Sequence, residues 1–195
     1  DTVWVNRYNS PSNLEDKVSA IVCDNNAVYI TGWSIDPIRD IITIKYDAAT
    51  GSRLWVKKYN GTGNGGDYGF AIAVDPSGNV YSTGRSDVGS GQGQKFTTLK
   101  YDAAGNVVSG WPYVYTGPLS NQLDQAQAIR LDGSSNAYVT GKSGTGVFGT
   151  EDYLTIKINS NGTLAWAKKY NGTQNSEDNA VDLVLDNSAT NVYVG

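Results

Sequence analysis

The chain has 195 residues, 39% apolar and 17% charged, with 23 Gly, 13 Tyr, 5 Trp, one Cys and neither His nor Met. That length supports a substantial core, and no apolar run is long enough for a membrane-spanning helix. Fifteen Lys plus Arg against nineteen Asp plus Glu leave a net charge of -4 with no basic block, so the phosphate-contact surface that duplex nucleic acid needs is missing.

In chain order, the first element opens at Trp4 in the run WVNRYN, followed by Asn13 and Asp16 in the spacing N-x-x-D, then AIVCD ending at Asp24, VYITG ending at Gly32, and DIITIKYD closing at Asp47. The series restarts at Trp55 with WVKKYN, Asn64 and Asp67, AIAVD to Asp75, VYSTG to Gly84 and KFTTLKYD to Asp102. A third copy runs from Trp111 through WPYVYT, Asn121 and Asp124, AIRLD to Asp132, AYVTG to Gly141 and DYLTIKIN to Asn159. The fourth begins at Trp166 with WAKKYN, passes Asn175 and Asp178, and reaches DLVLD at Asp186 and VYVG at Gly195, stopping before the last block. A period of about 50 residues marks a repeat architecture. Every block is short, rich in Val, Ile, Thr, Tyr and Trp, and bounded by Gly, Asn, Asp and Ser, the punctuation of strands and turns.

Each unit therefore predicts four strands, a (such as residues 70–74), b (80–83), c (96–101) and d (54–59). The a–b and c–d connections have hairpin length, and the b–c connections are longer and variable. Four antiparallel strands per unit predict an all-β propeller of radial blades, with apolar strand a innermost and strand d at the outer edge. The units fall at about 14–60, 65–115 and 122–170, with a partial one at 176–195, so that three complete repeats accompany a split blade. Residues 3–8 read as a strand d of a preceding or closing blade. The unpaired edges lead us to expect either an excerpt of a longer chain, which the absent Met favours, or a homodimer that completes one ring.

The block order W-x-x-x-Y-N-G, D-x-A-x-x-I-x-x-D, G-N-V-Y-x-T-G and D-Y-x-T-I-K-Y-D resembles the bacterial β-propeller repeat called SBBP, most fully over residues 55–102. Pro112 and Thr116 depart from the strand d pattern, Asp182 stands where Ala is usual, and Asn159 replaces the closing Asp. The resemblance implies a propeller fold in an exported or cell-surface bacterial protein and carries no catalytic residues.

Without His, neither His-dependent triads nor His-ligated metals are available. The pairs Asn13 and Asp16, Asn64 and Asp67, Asn121 and Asp124, and Asn175 and Asp178 read as turn-tying groups; the alternative, a calcium site, needs about six to eight oxygens. The aspartates that open the a–b turns, Asp24, Asp75, Asp132 and Asp186, read as turn formers. No metal or other cofactor is expected. Cys23 reads as an inert core side chain, and Asn60, Asn161 and Asn171 lie in glycosylation sequons. A glycosidase would use two carboxylates, for which the b–c loops offer Asp36, Asp40, Asp87, Glu151 and Asp152. The favoured reading is a non-catalytic module that binds protein or glycan on the face carrying the b–c and d–a loops, through Trp33 and Phe148, read as exposed aromatics, with Asp36, Asp87 and Glu151. A purely structural scaffold is the other alternative.

Overall fold

The computed structural model describes residues 2–89, 91–117, 119, 121–147, 149–174 and 176–195. Three four-stranded antiparallel sheets follow one another along the chain. The first contains β1 (Asp16–Cys23), β2 (Ala27–Ile35), β3 (Arg39–Asp47) and β4 (Arg53–Tyr59); the second contains β5 (Tyr68–Val74), β6 (Val80–Asp87), β7 (Gln94–Tyr101) and β8 (Tyr113–Val114). The third contains β9 (Asp124–Leu131), β10 (Ala137–Ser143), β11 (Asp152–Ile158) and β12 (Leu164–Tyr170), and β13 (Leu183–Leu185) pairs with β14 (Val192–Val194). Spatial order equals chain order in every sheet, and the a strands do not join into one sheet. Instead β5 packs against β1 on one side and β9 on the other, and β9 against β13. The fold is therefore all-β and propeller-like, with a–b and c–d hairpins at one end of the blades and b–c and d–a loops at the other.

The repeated Thr-Gly pair that ends each complete b block has a mechanical cause. Strand a carries a β-bulge at one equivalent place in each complete blade, between Val18 and Ala20, between Gly69 and Ala71, and between Ala126 and Ala128. The bulge swings the carbonyl before it across the neighbouring strand, where a Cβ on Gly32 would lie 1.8 Å from the Lys17 oxygen, one on Gly84 1.8 Å from that of Tyr68, and one on Gly141 2.0 Å from that of Gln125. In the partial blade both Val181 and Asp182 donate their N–H to the Gly195 carbonyl, the hydrogen-bond signature of the same bulge. The preceding threonines, Thr31, Thr83 and Thr140, donate their hydroxyls to strand c carbonyls at 3.0, 3.1 and 3.1 Å.

Turns repeat just as closely. Asp75 accepts the N–H groups of Ser77 and Asn79 and the side-chain amide of Asn79 at 2.8–2.9 Å, and Asp102 with Asn106 and Asp132 with Asn136 do the same. These bonds hold Asp102 below the usual carboxylate range, the Asn106 side-chain bond contributing most. A depressed folded-state pKa contributes stability that is present above the unfolded value and lost as pH falls through the folded one. Buried Asp40 and Asp67 are pushed up by desolvation and act in the opposite sense, so the clasp is isolated by comparison: between about pH 5 and about pH 2, Asp102→Asn should lose less Tm than the parent chain.

The most buried strands are b and c, against the expectation for a. β2 and β3 are sandwiched by neighbouring strands, whereas β1 exposes Val18 and Ile21, because an inner strand has a paired neighbour on one edge only. Blades two and three share the largest apolar cluster, with Tyr81, Phe96, Trp111, Ile129, Val139, Leu154 and Ile156; each such side chain contributes about 1.5–3 kcal/mol.

Two further expectations need correction. Residues 3–8 form no strand: Trp4 donates its indole N–H to Ala48 at 2.9 Å and stacks on Tyr46, and Asn6 bonds the Gly51 carbonyl. The segment lies against the first blade as Trp55 lies against Tyr101 and Ala103 of the second, held by side chains rather than by a ladder. Fourteen strands, the expected set without the one at residues 3–8, are thus formed among the described residues. Cys23 is an exposed free thiol, not a core side chain, since Val22 takes the inward position beside Tyr29 and Val80.

Candidate functional site

At the loop end of the a–b ladder, three blades place a matching cross-strand pair directly before the bulge: Lys17 opposite Trp33, Tyr68 opposite Arg85, and Gln125 opposite Lys142. These positions follow the N-x-x-D aspartate and the Thr-Gly pair, and they vary where the surrounding blocks repeat. Between the first two blades they assemble into one stack. Arg39, from the start of β3, donates to the Tyr68 hydroxyl at 2.6 Å with its guanidinium 5.0 Å from that ring, and Arg85 lies 4.4 Å from the same ring. Trp33 meets Tyr68 edge-on at 5.6 Å and carries the Lys17 ammonium at 4.6 Å, while Phe70 stacks on Tyr68 at 6.1 Å. Arg85 continues the chain of contacts to Gln125 in the third blade, 2.8 Å away.

The cations are only partly neutralised. Arg39 has Glu15 at 3.8 Å and Lys142 has Glu177 at 2.8 Å, but neither Lys17 nor Arg85 forms an ion pair among the described residues. The Nε atoms of Arg39 and Arg85 and the indole nitrogen of Trp33 are buried there without a partner. Burial pushes the Arg85 pKa down, and the like charge of Arg39 adds to it. A chain of net charge -4 therefore gathers four cations where the inner strands meet the loop face.

Of the candidates read from the sequence, Trp33 joins this stack, Asp36 and Asp40 meet on Lys58, and Asp87 and Glu151 lie on other blades. Trp33 is only 9% exposed, not an open aromatic, because Lys17, Arg39 and Tyr68 close over it. Asp36 accepts from Ser12 and pairs with Lys58 at 3.1 Å, and the serine bond first, then the lysine, lower its pKa; Asp40 shares that lysine at 3.7 Å. Asp87 accepts the Gly89 N–H and packs against the backbone of Gly63 and Gly65. Glu151 is 8% exposed, and its main-chain carbonyl accepts from Asp178. Asp40 and Asp152 occupy one repeat position, opposite Ser34 and Ser143. Asp36, Asp87 and Glu151 thus sit on separate blades. Phe148 and Asn175 lie outside the described residues.

Asn13, Asn64 and Asn121 adopt left-handed backbone, with φ of 53°, 57° and 59°, a conformation Asn tolerates better than other side-chain-bearing residues. Asp16, Asp67 and Asp178 accept the N–H of Ser10, Gly61 and Gly172 across their d–a turns. In the remaining d–a link, one residue longer between Gly117 and its aspartate, Asp124 instead takes the buried Lys95 at 2.9 Å and the Ser143 hydroxyl at 2.6 Å. Among the described residues no group of three or more His, Cys, Asp or Glu could hold a metal. We expect melting curves with and without excess chelator to coincide; a loss of more than about 10 °C would assign a calcium to the N-x-x-D groups.

A cleft of about 340 Å³ contains two carboxylates, Asp132 and Asp186, but at the opposite, a–b turn end, where both are committed to their own turns. None of the described strands is accompanied by a helix that could cross a membrane. No curated protein matches the chain. Residues 55–91, from β4 through the inner strands of the second blade into its b–c loop, match the family model described as the SBBP beta-propeller repeat.

Proposed function

We propose that the chain is a non-catalytic propeller module, exported or held at the cell surface, that binds a protein or glycan ligand on its b–c and d–a loop face. The observation that carries this reading is the stack of Arg39, Tyr68 and Arg85, in which Arg85 forms no ion pair among the described residues. Ligand sites gather on loops held by a rigid scaffold, and an under-neutralised pair of guanidiniums beside a phenol suits recognition of an anionic group. The glycosidase alternative would need two converging carboxylates, whereas Asp36 is paired with Lys58, Asp87 holds the Gly89 N–H, and Glu151 lies on a third blade. A glycan and peptide screen scored for both binding and product tests the proposal. Binding without turnover is the expected result; turnover abolished by Asp87→Ala or Glu151→Ala would establish an enzyme, and absence of both would leave the structural scaffold.

A further inference from the structure

We infer that the Arg39–Tyr68–Arg85 stack recognises the carboxylate of an acidic, uronate-bearing glycan. The inference rests on the binding-module reading and names its ligand class. Two guanidiniums held on one phenol ring repel each other, and the natural complement of such a pair is a carboxylate that accepts N–H bonds and neutralises the charge. Arg39 has a single distant, exposed carboxylate in Glu15, at 3.8 Å, and Arg85 has none among the described residues. A ligand carboxylate would supply the missing charge, and Lys17, exposed above Trp33, adds a third cation at the rim.

The groups around the cations favour a sugar over a peptide. The Tyr68 hydroxyl accepts from Arg39 and carries a proton it can donate, and Gln125, whose carbonyl accepts from Arg85, carries amide N–H donors. These suit sugar hydroxyls. The aromatic faces of Trp33 and Tyr68 are already occupied by cations, so the stack provides neither the bare platform that a neutral sugar uses nor an apolar pocket for a peptide anchor. Charge plus hydroxyl recognition selects an acidic glycan.

The test is titration of the 195-residue chain with an oligogalacturonate, its methyl-esterified neutral form and poly-L-glutamate of equal charge, at low and high salt. The acidic oligomer should bind, weaken as salt rises, and lose at least tenfold in affinity in Arg85→Gln, with thermal melting confirming the fold. Should Arg85→Gln fail to fold, the more exposed Lys17→Gln should still weaken binding. Equal binding of the methyl ester, or equal binding of poly-L-glutamate, overturns the assignment, as does absence of acidic-oligomer binding at low salt. A different glycan or a peptide bound on the loop face with the oligogalacturonate silent would overturn this inference and leave the module reading standing.

Discussion

Replacing Gly84 by alanine is expected to destabilise the chain by about 3 kcal/mol or more, a fall of about 6–12 °C in Tm. The added Cβ would sit 1.8 Å from the carbonyl oxygen of Tyr68. That oxygen belongs to backbone fixed between a ladder pair and a bulge, so it cannot swing aside as a side chain would. Gly69 makes the site tighter still, because its own Cβ position lies 2.4 Å from the Thr31 hydroxyl of the adjacent blade, and any backbone shift in β5 is passed on to β2. The same cost should appear in Gly32→Ala and Gly141→Ala. Gly133→Ala is the control, since its Cβ would meet nothing within 4 Å. Chemical denaturation of the four variants checks the prediction; parity between Gly84→Ala and Gly133→Ala would show that the bulge yields.

Asp124→Ala should be the costliest polar substitution, at about 3–5 kcal/mol. Lys95 and Asp124 have side chains only 2% exposed and are 2.9 Å apart, and the ammonium also donates to the Leu119 carbonyl. Removing the carboxylate strands a buried ammonium and leaves the Ser143 hydroxyl without its 2.6 Å acceptor. Removing both charges in Lys95→Met with Asp124→Asn avoids the stranded charge and should recover most of the loss. The denaturation midpoints of Lys95→Met, of Asp124→Asn and of the double variant measure the coupling. A cost below about 1 kcal/mol for Asp124→Ala would mean that water reaches the pair. The consequence is architectural, because this contact does for the third blade what Gly61 and Gly172 do for the aspartates of their own turns.

The repeat itself was fully legible. Trp, N-x-x-D, the a–b turn aspartate, Thr-Gly and the closing strand recur in fixed order, and since strand and turn formation depend on neighbours close in sequence, the blade order and its hairpins follow from the pattern alone. The Asp75 and Asp102 clasps are local in the same sense, donor and acceptor lying within four residues. Contacts between blades set everything else. The clash that makes glycine necessary at position 84 depends on the register of β5 against β6, which composition does not encode. Trp33 reads as an exposed loop aromatic until Tyr68 of the next blade and Arg39 of its own close over it. Residues 3–8 have a strand-like sequence, yet a strand requires a partner ladder, and the contacts they make are to the first blade's turn through side chains. The Arg39–Tyr68–Arg85 stack was hidden for a related reason. Its members occupy the positions where the repeats differ, and they become one site only when successive inner strands are packed side by side, because cations and rings separated by tens of residues gain nothing from each other until the fold has brought them within about 6 Å.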